Sequence, residues 1–359
     1  MKLPRFAAPL FAVLLQRALL CVVALACGYN PLLPSTWARW DSAYYLDIAV
    51  AGYQPVRHCW PETHYPATAW CGNAGWFPGF PWALAALQHA GIPLPLAGFL
   101  VPLAAQVACI WLLWGWLGGS LAALLFAAFF PGNVYLAAAF PVSLFLFGAL
   151  LLLRGCASDR PAIAALGGAV AAVSHPTGVL LAGVALVFGL WQRRRVALWG
   201  AAGAAAGFLC VLAVLQVQAG GWDAYFRVQA HYGYKAGFFA DALLARLKPL
   251  VNPRYRDLKR LVTALQTLLC ALVVVVVAAL RLRRRAAVHE ASLFLYVGLF
   301  WIAPLALGGA LSLYRAEALL LPSAALVADA PRPVQAALAA AAVALSVPMG
   351  VLFFRGILV

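Results

Sequence analysis

The chain has 359 residues, of which 65% are hydrophobic and only 10% charged, with a formal net charge of +15 and a mean hydropathy of +0.92. A water-soluble globule of this length cannot bury so much apolar surface, which leaves a polytopic, all-α membrane protein. The excess of Lys and Arg falls in short clusters between apolar runs, the pattern of cytoplasmic loops, and nucleic acid is not an expected partner.

Lys2 and Arg5 precede a first apolar run from Phe6 to Cys27. Arg17 interrupts it and no small-residue cleavage site follows before Trp37, so it reads as an uncleaved span over 8–28 and not as a signal peptide. Placing the clusters at Lys2/Arg5, Arg154/Arg160, Arg193 to Arg195, Arg281 to Arg285 and Arg332 in the cytoplasm requires an even number of crossings in each interval. Spans over 8–28, 96–117, 119–139 and 141–153 satisfy the first interval. The run WFPGFPWALAALQHAG (Trp76 to Gly91) then becomes an amphipathic helix at the outer interface. A short hairpin over 161–192 turns at SHPTG (Ser174 to Gly178), and 196–217 returns the chain outward. Spans near 262–280, 291–311, 316–330 and 334–354 complete a single membrane domain over 1–359, of about eleven crossings. Residues 29–95 form an outer loop and 220–261 a second one. The basic run Arg246, Lys248, Arg254, Arg256, Lys259 and Arg260 runs against this count, since such loops favour the cytoplasm. Either it binds lipid phosphates on the outer leaflet, or the count is off by one span nearby.

The stretch Trp37 to Pro81 departs from the greasy composition and gathers carboxylates, Tyr and Trp, the composition expected of chemistry at a membrane face. Asp41 follows Arg39 and Trp40 and, on a helix, shares a face with Tyr44 and Tyr45. A carboxylate ringed by aromatics that stack on a sugar suits a general base towards a hydroxyl; the competing reading is an interfacial helix whose Asp41 caps it or pairs with Arg39. Asp47, six positions on, lies on a different face and reads as structural. His58, Glu62 and His64 have neither helical register nor zinc spacing, so no metal is expected, nor any cofactor. With no Gly-rich phosphate loop and no DxD pair, a nucleotide-sugar donor has no handle, and a lipid-linked donor is expected. Arg315 either pairs with Glu317 or grips a phosphate as a planar fork. Arg227, His231 and Lys235 recur every four residues, either as one helical face approaching the same anion or as a solvated row. Six cysteines lie in or beside apolar runs, whereas Cys59 and Cys71 share the polar loop and are expected to form a disulfide.

RWDSAYYLDIAVAGY (Arg39 to Tyr53), GWFPGFP (Gly75 to Pro81), WDAYFRVQAHYG (Trp222 to Gly233) and SLYRAEALLLP (Ser312 to Pro322) together resemble, in order, loops of the PIG-V mannosyltransferases and their bacterial relatives. Departures from that pattern are Phe140 to Ser143, which lack a carboxylate, and Ser174 to Gly178. The resemblance implies a GT-C bundle, a polyprenyl-phosphate sugar as donor, usually mannose, and inversion at the anomeric carbon. It puts the base at Asp41 and makes Arg315 a ligand of the carrier phosphate; Arg39, Trp40, Tyr44 and Tyr45, next to Asp41 in the sequence, are expected to bind substrate. The acceptor, whether glycolipid, glycan or protein, is not legible. Short loops point to a bacterial inner membrane with the site facing the periplasm. The rivals are a non-catalytic lipid-linked-sugar partner subunit and a flippase; the latter is expected to show inverted repeats and mid-span polar residues, and neither is evident.

Overall fold

The computed structural model describes residues 7–56, 70–230, 232, 235–283, 288–308 and 312–358. It is 78% helical, and among the described residues five helices are long and apolar enough to cross a bilayer: Ala7–Ala26, Leu94–Trp114, Arg195–Gln218, Leu258–Leu282 and Arg332–Phe354. The protein is an all-helical membrane protein, since only a chain that satisfies its own backbone can present such runs to lipid.

In chain order the elements are α1 (Ala7–Ala26), α2 (Ser42–Ala51), β1 (Pro55–Val56), β2 (Cys71–Gly72), α3 (Gly79–His89), α4 (Leu94–Trp114), α5 (Leu121–Ala128), α6 (Asn133–Ala137) and α7 (Val142–Ala157). There follow α8 (Pro161–Ser174), α9 (Leu180–Trp191), α10 (Arg195–Gln218), α11 (Ala224–Ala230), α12 (Phe239–Val251), α13 (Leu258–Arg283), α14 (Val288–Ala306), α15 (Leu313–Ala316), α16 (Ser323–Val327) and α17 (Arg332–Phe354). β1 and β2 pair antiparallel, Pro55 opposite Gly72. Two compact units emerge, one of Met1–Trp37, Leu103–Ala138 and Gly237–Val359, the other of Ala38–Pro102 and Ala139–Ala236.

In the first unit, two of the expected spans are not continuous helices. The run 119–139 breaks into α5 and α6 at Pro131 and Gly132, and 316–330 breaks into a 3-10 turn, Glu317–Leu320, and α16 around Pro322. Proline removes a backbone donor and clashes with the preceding turn, and Gly132 adopts φ +80°, which a helix does not allow. The two breaks pack on each other: a Cβ at Gly132 would stand 2.8 Å from the Ala318 Cβ and 3.0 Å from the Tyr314 carbonyl oxygen. Irregular backbone persists in a membrane protein where protein covers it, and residues 126–130 and 317–327 are buried throughout.

Buried polar groups, among them the Arg17 that interrupts the first run, hold the first of these breaks. Arg17, buried in α1, donates from Nε to Gln106 Oε1 at 3.0 Å and from Nη1 to the Ala137 carbonyl at 2.9 Å. Gln106 in turn donates to Gln16 at 3.2 Å. A guanidinium at the C-terminal carbonyls of α6 meets the negative end of that helix, which compensates part of its desolvation.

The second unit contains a glycine-lined layer. Gly148 and Gly155 of α7 abut Ala171 and Ala164 of α8, so α7 and α8 run antiparallel. Gly203 and Gly207 of α10 abut Ala165 and Ala169, so α8 and α10 run parallel, with α9 returning the chain between them. Small residues let backbones approach where lipid offers no hydrophobic drive for association. The reversal falls at His175 to Val179, where Pro176 stops α8; the His175 ring accepts from the Thr177 backbone N–H at 3.3 Å.

Candidate functional site

Asp41 stands immediately before α2, at the position where a side chain ordinarily caps, yet it makes no cap hydrogen bond. The turn that delivers it is closed by neighbours: the Arg39 N–H donates to Ser42 Oγ at 3.0 Å, the Ser42 N–H to the Arg39 carbonyl at 2.9 Å, and the Ala43 N–H to the Trp40 carbonyl at 3.1 Å. Trp40 has φ +41°, a left-handed conformation that costs a bulky residue about 1–2 kcal/mol. Strain of this kind lets the chain re-aim the next side chain, here a half-buried carboxylate at a helix N-terminus.

The two tyrosines part company. Tyr45 is buried, edge-on to Phe80 at 5.5 Å and to Phe140 at 6.3 Å, and serves packing. Tyr44, 38% exposed, stacks on Trp76 at 3.8 Å with 15° between planes. Trp76 is itself fixed through its carbonyl, which accepts from the Tyr53 hydroxyl at 2.7 Å; burial pushes the Tyr53 phenol well above its ordinary value and keeps it a donor. Arg39 is half-buried, with Nε and Nη2 shielded from water.

Asn73 ties the loop to α2 and is the residue sequence reading missed. Its amide donates to Asp47 Oδ2 at 2.7 Å and to the Gly52 carbonyl at 3.0 Å, while its oxygen accepts from the Gln54 N–H at 2.8 Å. Asp47 is thereby a structural acceptor. The only signal was an Asn between two turn glycines, Gly72 and Gly75. Cys71 is disulfide-bonded; Cys59, its expected partner, lies outside the described residues, as do His58, Glu62, His64 and His231.

Arg227 on α11 bonds Asp223 at 2.7 Å and lies over the Trp70 ring at 5.0 Å. That pair is partly exposed and worth under about 1 kcal/mol. Lys235 follows the end of α11 in non-helical chain, so the four-residue spacing does not carry it onto the α11 face.

In the first unit, Arg315 of α15 lies over the Tyr135 ring at 6.0 Å, and Tyr135 stacks on Tyr314 at 5.9 Å. Glu317 is fully buried and takes a hydrogen bond from the Gln266 amide at 2.7 Å; the same amide donates to the Tyr314 carbonyl at 2.8 Å. Arg246 of α12 faces this carboxylate: burial lowers its guanidinium from the ordinary value, with Glu317 and then Tyr314 acting against that shift. Gln266 was legible only as one of three polar residues, Thr263, Gln266 and Thr267, at one-turn spacing in an apolar helix. Among the described residues no three of His, Cys, Asp and Glu cluster as metal ligands.

No protein-family model matches the chain, and no curated protein does. What the residues can do chemically is therefore the basis of a functional reading.

Proposed function

We propose that the protein is a membrane glycosyltransferase of the GT-C kind, similar to the PIG-V mannosyltransferases. It moves a sugar, mannose by that resemblance, from a polyprenyl-phosphate carrier to an acceptor hydroxyl with inversion. The bundle has about eleven crossings, and the site faces the periplasm of a bacterial inner membrane. Asp41 takes the proton of the acceptor hydroxyl as that oxygen attacks C1, and the C1–O bond to the carrier breaks with its electron pair leaving on phosphate. Cations stabilise that leaving anion: Arg315 is assigned to it by the resemblance, with Arg227, His231 and Lys235 as further candidates.

One observation carries this reading: a strained Trp40 turns a half-buried carboxylate out of its capping role at the start of α2, in the same unit as the Tyr44–Trp76 stack. The test is transfer of radiolabelled sugar from polyprenyl-phosphate-mannose by purified protein in nanodiscs, wild type beside Asp41→Asn. Loss of a general base lowers turnover by about 10²–10⁴-fold. Equal transfer by both proteins removes Asp41 from the chemistry. A second reading, a lipid-linked-sugar flippase, draws support from the buried polar groups Arg17, Gln106, Gln266 and Glu317. Under that reading Asp41→Asn leaves movement of the lipid across the bilayer intact.

A further inference from the structure

The segment 238–260 is built for a different partner. At 13 residues α12 is about 20 Å long, too short for a hydrocarbon core of about 30 Å, and it carries Asp241, Arg246 and Lys248. It packs on α13 and α14 through a face that includes Leu243, Arg246, Pro249 and Leu250, with Arg246 turned towards the buried Glu317. The opposite face, at the spacing of four and three residues along Leu244, Lys248 and Val251, is exposed, Leu244 by 63% and Val251 by 81%. Phe238, Tyr255 and Leu258 extend this apolar exposure at both ends of the helix.

Cations outnumber acids six to two in the segment, Asp241 lying on the exposed face and Asp257 beyond the helix. Of six cations in the segment, Arg246 faces Glu317, Arg256 donates to the Pro249 and Leu250 carbonyls at 3.1 and 3.0 Å and so closes the end of α12, and Arg260 bonds Asp257 at 3.2 Å. Lys248, Arg254 and Lys259 have no such commitment among the described residues. Exposed apolar groups on a helix that cannot span, with uncommitted cations on it, in the turn that follows and in the first turn of α13, are the features of an element lying in the plane of a bilayer surface.

We propose that this segment is an interfacial anchor for anionic phospholipid, with Lys248, Arg254 and Lys259 on the headgroup phosphates and Leu244 and Val251 seated at the acyl boundary. Packing of α12 on α13 and α14 holds the anchor to the bundle. The anchor is independent of the glycosyltransferase reading.

Hydrogen-exchange mass spectrometry of the full chain tests it, in nanodiscs of phosphatidylcholine alone and with roughly 30% phosphatidylglycerol. Peptides over 239–260 are expected to gain protection in the anionic discs. The variant Lys248→Gln/Arg254→Gln/Lys259→Gln should lose that gain by about fivefold per cation removed, while Lys248→Arg/Arg254→Lys/Lys259→Arg keeps it and peptides of α17 stay unchanged in both. Equal protection in the two bilayers overturns the proposal, as does a gain that the glutamine variant retains. The same gain in neutral discs with inorganic phosphate would reassign the site to a free anion.

Discussion

Gly132→Ala separates two physical costs at the crossing of the broken helices. The first is conformational: φ at Gly132 is +80°, and an L-residue there loses about 1–2 kcal/mol. The second is steric, because the new Cβ meets the Ala318 Cβ at 2.8 Å and the Tyr314 oxygen at 3.0 Å, well inside contact, and overpacking of this kind costs about 1–3 kcal/mol. The expected loss is their sum, about 2–5 kcal/mol, read as a shifted midpoint of denaturant unfolding in mild detergent. Gly91→Ala supplies the control, since Gly91 has φ +88° with nothing within 4 Å of its Cβ, and should lose the conformational part alone. Ala318→Gly added to Gly132→Ala should recover most of the steric part and none of the rest. If Gly132→Ala costs no more than Gly91→Ala, the two breaks do not pack as described.

Gln266→Leu strips a buried carboxylate and the Tyr314 carbonyl of their amide donor and is expected to destabilise by about 2–5 kcal/mol in the same unfolding assay. Gln266→Glu should be worse, because it sets a second carboxyl beside Glu317. Asn73→Ala removes three hydrogen bonds around α2, worth about 1 kcal/mol each, and should raise exchange at residues 52–54 without affecting α17. Asn73→Asp should not rescue it, since the new carboxylate faces Asp47.

What could be read in advance followed from composition and from single residues with local effects. The runs that became α1, α10 and α17 are long and strongly apolar in sum, and Pro176 falls at the end of α8. The breaks in 119–139 and 316–330 escaped: they fall at Pro131, Gly132 and Pro322, yet proline also lies inside α4, α12, α14 and α17, so what marks a break is the partner elsewhere, Ala318 for Gly132. Gln266 escaped for a similar reason, its carboxylate partner lying 51 positions away. Around Asp41, spacing put both tyrosines beside the carboxylate, but the pocket formed by Phe80 and Phe140 commits Tyr45 to packing and leaves Tyr44 to Trp76.

The meeting of Gly132 with Ala318 also constrains how the protein is made. Residues 121–137 leave the ribosome as two helical fragments, of 8 and 5 residues, neither long enough to be held in lipid as a span. The turn that covers them is synthesised more than half a chain later. Until then the loose carbonyls at the end of α6 have only Arg17 and its glutamine neighbours to hold them, all of which are already translated or arrive with α4. Insertion of this region is thus finished from the far end of the gene, and truncation before residue 318 should leave the nascent protein open to quality-control proteases even though four of its five long spans are in place.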